Sequence, residues 1–144
     1  MSGPSAKEKT LARIHRVRTL QLGLTRAEEA RAQDKYASEA QLSARIAQLA
    51  NAVTPVEGAS APAYTFGASA HFRDRLLQSA SAAEARVQSA ELHVQRTAEA
   101  TKAAKRDQSA VEKLIARAEA DSVIREMKAL EDAPQFRKIR HDPC

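Results

Sequence analysis

From Leu76 to Ser122, small and apolar residues recur alternately four and three positions apart: Leu76, Ala80, Ala83, Val87, Ala90, Val94, Thr97, Thr101, Ala104, Gln108, Val111, Ile115, Ala118 and Ser122. That spacing is the a/d repeat of a left-handed coiled coil. No proline lies between Pro62 and Pro134, and Gly67 is the only glycine there. One helix of about 90 Å, at ~1.5 Å rise per residue, is therefore predicted.

A first helix is predicted from Ser5, where Ser5-Ala6-Lys7-Glu8 forms a capping-box sequence just after Pro4. Its apolar stripe opens with Leu11, Ile14, Val17, Leu20, Leu24 and Ala27 and closes with Leu42, Ile46, Leu49 and Val53. Arg31, Asp34 and Lys35 interrupt it. Leu20 and Leu42, Leu24 and Ile46, and Ala27 and Leu49 are each separated by two hendecads, so the two ends share a face only on a straight or slightly right-handed helix. Looser packing is expected in the middle, and Gly23 adds a weak point of ~1 kcal/mol relative to alanine.

Residues 54–67, TPVEGASAPAYTFG, concentrate prolines and glycines and mark the break between the helices, with Tyr64 and Phe66 exposed on it. Ala133-Pro134 is expected to stop the second helix, leaving a tail with the basic sequence Gln135-Phe136-Arg137-Lys138-Ile139-Arg140-His141. The expected fold is all-α: two long helices, 5–53 and 68–132, in an antiparallel coiled-coil hairpin, with loop 54–67 and a short flexible tail 133–144, the whole forming a single domain.

Composition strengthens the reading. Aromatic residues make up 3% of the chain and tryptophan is absent, so the large side chains that fill globular cores are missing. A buried alanine methyl contributes about 0.8 kcal/mol against ~1.5–3 for a leucine or valine. A thin hairpin of modest stability follows, with the longer second helix extending past the first. Most of the formal +5 charge sits at the N-terminus, on Lys7, Lys9, Arg13, Arg16 and Arg18 against Glu8. Such a segment suits an acidic protein surface, an anionic lipid or a nucleic acid. The lone Cys144 fits a reducing compartment, and no apolar run is long enough to span a bilayer.

No catalytic constellation emerges. His15, His71, His93 and His141 are dispersed without the i, i+4 spacing of a metal motif. His15 and His141 would approach each other at the base of a hairpin, with no third ligand to complete a site. Glu28, Glu29, Glu84, Glu91, Glu99 and Glu119 alternate with Arg and Lys as on a solvated helix face, and no phosphate-cradling glycine loop is present. The chain is expected not to be an enzyme and to hold no cofactor or metal. Positive charges interleaved with acids, and few aromatics for stacking, argue against nucleic-acid binding. Phe72 and Leu76, one turn apart beyond the break, either cap the coiled-coil core or present an anchor to a partner.

The length, basic N-terminus, paired long helices and a C-terminal stretch KLIARAEADSVIREMKALED, residues 113–132, resemble the FliJ family of flagellar type III export proteins and, more distantly, the YscO-like proteins of injectisomes. The resemblance implies a coiled-coil stalk that inserts in the hexameric export ATPase ring, promotes its assembly and couples it to the membrane export gate. Such a protein is cytoplasmic, peripheral at the cytoplasmic face of the inner membrane, and a monomer when free, with export chaperones as further candidate partners. Carried onto this chain, the ring contact falls on Lys7, Lys9, Arg13 and Arg16. The gate contact falls on Phe72 and Leu76, with Ser79 in the place of the family's small residue and Ala83 where some members have histidine. Two other readings remain open: a generic cytosolic coiled-coil adaptor or chaperone, and a basic helical hairpin on nucleic acid.

Overall fold

The computed structural model describes residues 5–53 and 63–134, with side chains from Gly67 onward in the second stretch. The protein is all-α: α1, Ala6–Ala52, and α2, Ala63–Glu131, pack on each other as a helical hairpin. Tail residues 135–144 and the side chains of Tyr64 and Phe66 lie outside the described residues. The break is shorter than residues 54–67, since α2 starts at Ala63 and carries Gly67 inside the helix. A Cβ on Gly67 would meet nothing within 4 Å, so this glycine is not there to admit a neighbour. Once nucleated, a long helix adds each residue cheaply, and one glycine costs only about 1 kcal/mol.

The start of α1 is fixed by its sequence. The Ser5 N–H donates to Glu8 Oε2 at 2.8 Å and the Glu8 N–H donates to Ser5 Oγ at 3.2 Å, the reciprocal bonds of a capping box. Replacing Ser5 by alanine is expected to cost about 0.5–2 kcal/mol, read as a lower melting temperature and faster amide exchange in the first turn.

Two compact units divide the chain. The first takes Met1–Thr19 with Asp107–Cys144; the second is Leu20–Arg106. In the first unit the helices are antiparallel: His15 Nε2 lies 3.3 Å from Glu112 Oε1, Arg18 Nη1 donates to Asp107 Oδ2 at 3.0 Å, and Gln108 Nε2 donates to Thr19 Oγ1 at 3.1 Å. In the second unit Arg86 Nε donates to Glu39 Oε2 at 3.2 Å, while Ala32 lies beside Ala90 and His93, so the direction is again antiparallel. The ion pairs are half open to solvent, each worth about 0.2–1 kcal/mol at most, and they fix register more than they add stability.

On α2 the burial follows the heptad. All the positions from Leu76 to Ser122 named above are buried or half-buried, and between Gly67 and Glu131 only Ala98 and Ser109 join them. The hydroxyl members are satisfied within the helix, while Gln108 reaches across to Thr19. Thr97 Oγ1 donates to the carbonyls of His93 and Val94, and Thr101 Oγ1 to that of Thr97. No buried side-chain polar atom among the described residues lacks a partner.

On α1 the expected stripe faces the partner only at Leu11, Ile46 and Val53. Leu20 and Leu24 are exposed, and so are Ile14, Val17, Leu42 and Leu49. The protected positions are instead Glu8, Leu11, His15, Arg18, Leu22, Thr25, Glu29, Ala32, Glu39, Ser43, Ile46, Ala50 and Val53, with Ala40 beside them and Tyr36 close to half-buried. These also alternate three and four apart. A helix packed on a strict seven-residue seam must keep a seven-residue repeat itself, and the hendecad spacing between the two leucine clusters of α1 breaks that phase. The polar residues at the seam reach outward past the small side chains of α2: His15, Arg18 and Glu39 each meet a charged residue of α2 in this way.

Candidate partner-binding site

The seam of α1 defines its heptad: Glu8, His15, Leu22, Glu29 and Tyr36 are a positions, Leu11, Arg18, Thr25, Ala32 and Glu39 d positions. On α2, Val87, Val94 and Thr101 are a, and Ala83, Ala90 and Thr97 are d. In an antiparallel pair the g and c positions of both helices flank one edge of the seam, the e and b positions the other. The contacts agree: Arg86 and Asp107 reach Glu39 and Arg18 from g positions, whereas Glu112 reaches His15 from an e position.

In the first unit, Lys7, Lys9, Arg13 and Arg16 are all exposed and make no ion pair among the described residues. They occupy g, b, f and b positions, so they spread around the outer surface of α1 instead of forming one patch. Beside them a groove of about 420 Å³ opens on the seam, lined by Glu8, Lys9, Leu11, Ile115 and Ala118. A second depression, of about 570 Å³, lies on the other edge between Lys7, Asp121, Ile124 and Arg125.

In the second unit, Phe72 is 55% exposed at a g position and Ser79 is exposed at the next g position. Leu76 is half-buried as the first residue of the seam, and Ala83 is 0% exposed within it. The four therefore do not form one accessible patch. Ala83 belongs to the helix pairing and offers nothing to an outside partner, because the seam that ends near Leu76 passes through it. What the sequence reading missed is the company on this edge. Leu42 and Leu49, both exposed, stand at g positions of α1, and further along the same edge Lys35, Arg86, His93 and Arg96 surround a depression of about 340 Å³. Only the frame of α1 could have found them, and that frame is ambiguous in the sequence.

Among the described residues, no group of three or more His, Cys, Asp or Glu is placed to hold a metal ion, and no helix is long and apolar enough to cross a membrane. The Lys102 ammonium, hydrogen-bonded to Glu99 at 2.9 Å, holds the Glu99 carboxyl below the usual value. This is an exposed i, i+3 pair of a solvated helix face. No family model, no curated protein and no solved structure matches the chain.

Proposed function

We propose that this hairpin is a non-enzymatic, FliJ-like stalk of a flagellar type III export apparatus, at the cytoplasmic face of the inner membrane. It inserts in the export ATPase ring, promotes assembly of the ring and couples it to the export gate. The observation that carries the reading is the pairing of two long helices along a seam of alanine, threonine and valine, with outer faces that differ around the pair. Such an object meets the subunits of a six-fold ring unequally, and unequal contacts shift the subunits' conformational equilibrium. Lys7, Lys9, Arg13 and Arg16 supply cations for ring carboxylates, and the exposed Phe72 supplies an apolar anchor for the gate.

The test is reconstitution with a purified hexameric export ATPase. The protein is expected to raise ATP hydrolysis, and charge reversal of Lys7, Lys9, Arg13 and Arg16 together is expected to abolish the increase. Phe72→Ala, which leaves the seam intact, and the Phe72→Ala, Leu76→Ala double variant are expected to keep the helical circular dichroism spectrum and lose gate binding and motility. No stimulation together with unchanged gate binding would reject the stalk and leave the generic coiled-coil adaptor, which the fold also supports.

A further inference from the structure

We infer that the g/c edge of the second unit is a docking surface for an acidic amphipathic helix of a partner protein. The inference rests on the register of this unit and not on the export reading. At the g and c positions of the two helices stand Arg31, Lys35, Arg45, Arg75, Arg86 and Arg96, with Glu28 as the one acid. The e and b positions of the same unit are balanced, with Arg26, Lys102 and Lys105 against Asp74, Glu84 and Glu91. The strong asymmetry lies across the pair, where it cannot be cancelled by the neighbouring turn of helix.

The cations also surround a real concavity. Ala32 and Ala90, both buried, form the floor of the depression of about 340 Å³, and Lys35, Arg86, His93 and Arg96 stand around it. Arg86 is engaged by Glu39, while Lys35, His93 and Arg96 make no hydrogen bond or ion pair among the described residues. Small residues on the floor let a visiting chain approach closely, and the unpaired Lys35 and Arg96 at the rim would receive its carboxylates. Along the same edge Leu42 and Leu49 present apolar side chains to solvent. The groove along one edge of a helix pair is where a third helix packs in a bundle. An occupant with leucine-type residues on one stripe and carboxylates beside it matches both halves of the surface. Nucleic acid matches less well, because apolar anchors and Glu39 stand among the cations and no row of exposed aromatics for stacking is found among the described residues.

The test uses the full chain and a labelled helical peptide of about 18 residues, with leucines on one face and glutamates flanking them, in fluorescence anisotropy at moderate salt. Saturable binding is expected, weakened at least about tenfold in the Lys35→Glu, Arg96→Glu variant and also reduced in Leu42→Ser. The Arg26→Glu, Lys105→Glu variant changes net charge equally on the opposite edge and should alter affinity less than about twofold. Circular dichroism checks that each variant stays helical. Absence of binding, equal losses in the two charge-reversed variants, or displacement of the peptide by a short DNA duplex at lower concentration than by unlabelled peptide would overturn the proposal.

Discussion

Leu22→Ala is expected to destabilise the protein by about 2–5 kcal/mol, the usual cost of truncating a packed leucine. Leu24→Ala, two residues along, should change stability by less than about 0.5 kcal/mol. Leu22 is 4% exposed on the seam and Leu24 is 67% exposed on the outer surface. The contrast is sharp because the buried apolar residues are otherwise small: among the described residues, four of the six are alanines, and Leu22 and Val111 are the larger ones. Against a typical reserve of about 5–15 kcal/mol, losing Leu22 removes a substantial share. Thermal melts followed by circular dichroism would read it as a clear drop in melting temperature for Leu22→Ala and almost none for Leu24→Ala. The reverse order would mean that α1 presents its leucine stripe to α2.

Charge at Ala83 should be as damaging. The residue is 0% exposed, and the cation one turn along α2, Arg86, is already engaged by Glu39. Ala83→Glu buries a carboxylate with no partner, which costs about 3 kcal/mol or more unless the helices part locally. Ala83→Leu keeps the site apolar but overpacks it, at about 1–3 kcal/mol. Ala82→Glu, one residue earlier and exposed, is the matched control and should be nearly neutral. Amide exchange would place the loss in the turns around Ala83 and leave the first unit protected, since the destabilised contacts belong to the second. Normal protection in Ala83→Glu would mean that this position faces solvent.

The two helices differ in how much of their pairing the sequence discloses. On α2 one frame of small and apolar residues runs unbroken from Leu76 to Ser122, and every position of it is buried or half-buried, while Leu77, Leu92 and Leu114 outside it are exposed. On α1 two frames compete. One, through Ile14, Val17, Leu24, Leu42 and Leu49, collects the large aliphatic residues. The other, through Leu11, Leu22, Ala32, Ile46 and Val53, collects fewer of them and admits His15, Arg18, Glu29 and Glu39. Hydrophobicity alone favours the first. The second is the one in the structure, where it keeps the seven-residue repeat of its partner seam and where His15, Arg18 and Glu39 reach charged residues of α2, a relation that no single-helix pattern contains.

The candidate surfaces follow the same division. By sequence Phe72 is either a cap of the coiled-coil core or an anchor; the structure leaves it exposed, and its neighbours on the same edge, Leu42 and Leu49, come from the other helix and depend on the frame of α1. Likewise Lys35 and Arg96 look like ordinary members of alternating charge runs until the pairing sets them on one side of Ala32 and Ala90.

By itself, then, the sequence determined that the chain makes two long helices, where the first begins, and which face of α2 is buried, since capping, helix propensity and a seven-residue repeat are local properties. Only the tertiary structure decided which face of α1 meets that seam and which charges share an edge. Those depend on register between segments far apart in the chain: a seam that repeats every seven residues on α2 requires a seven-residue repeat of α1, with which the hendecad-spaced leucine clusters are out of phase, and the cross-helix charge pairs help fix that register.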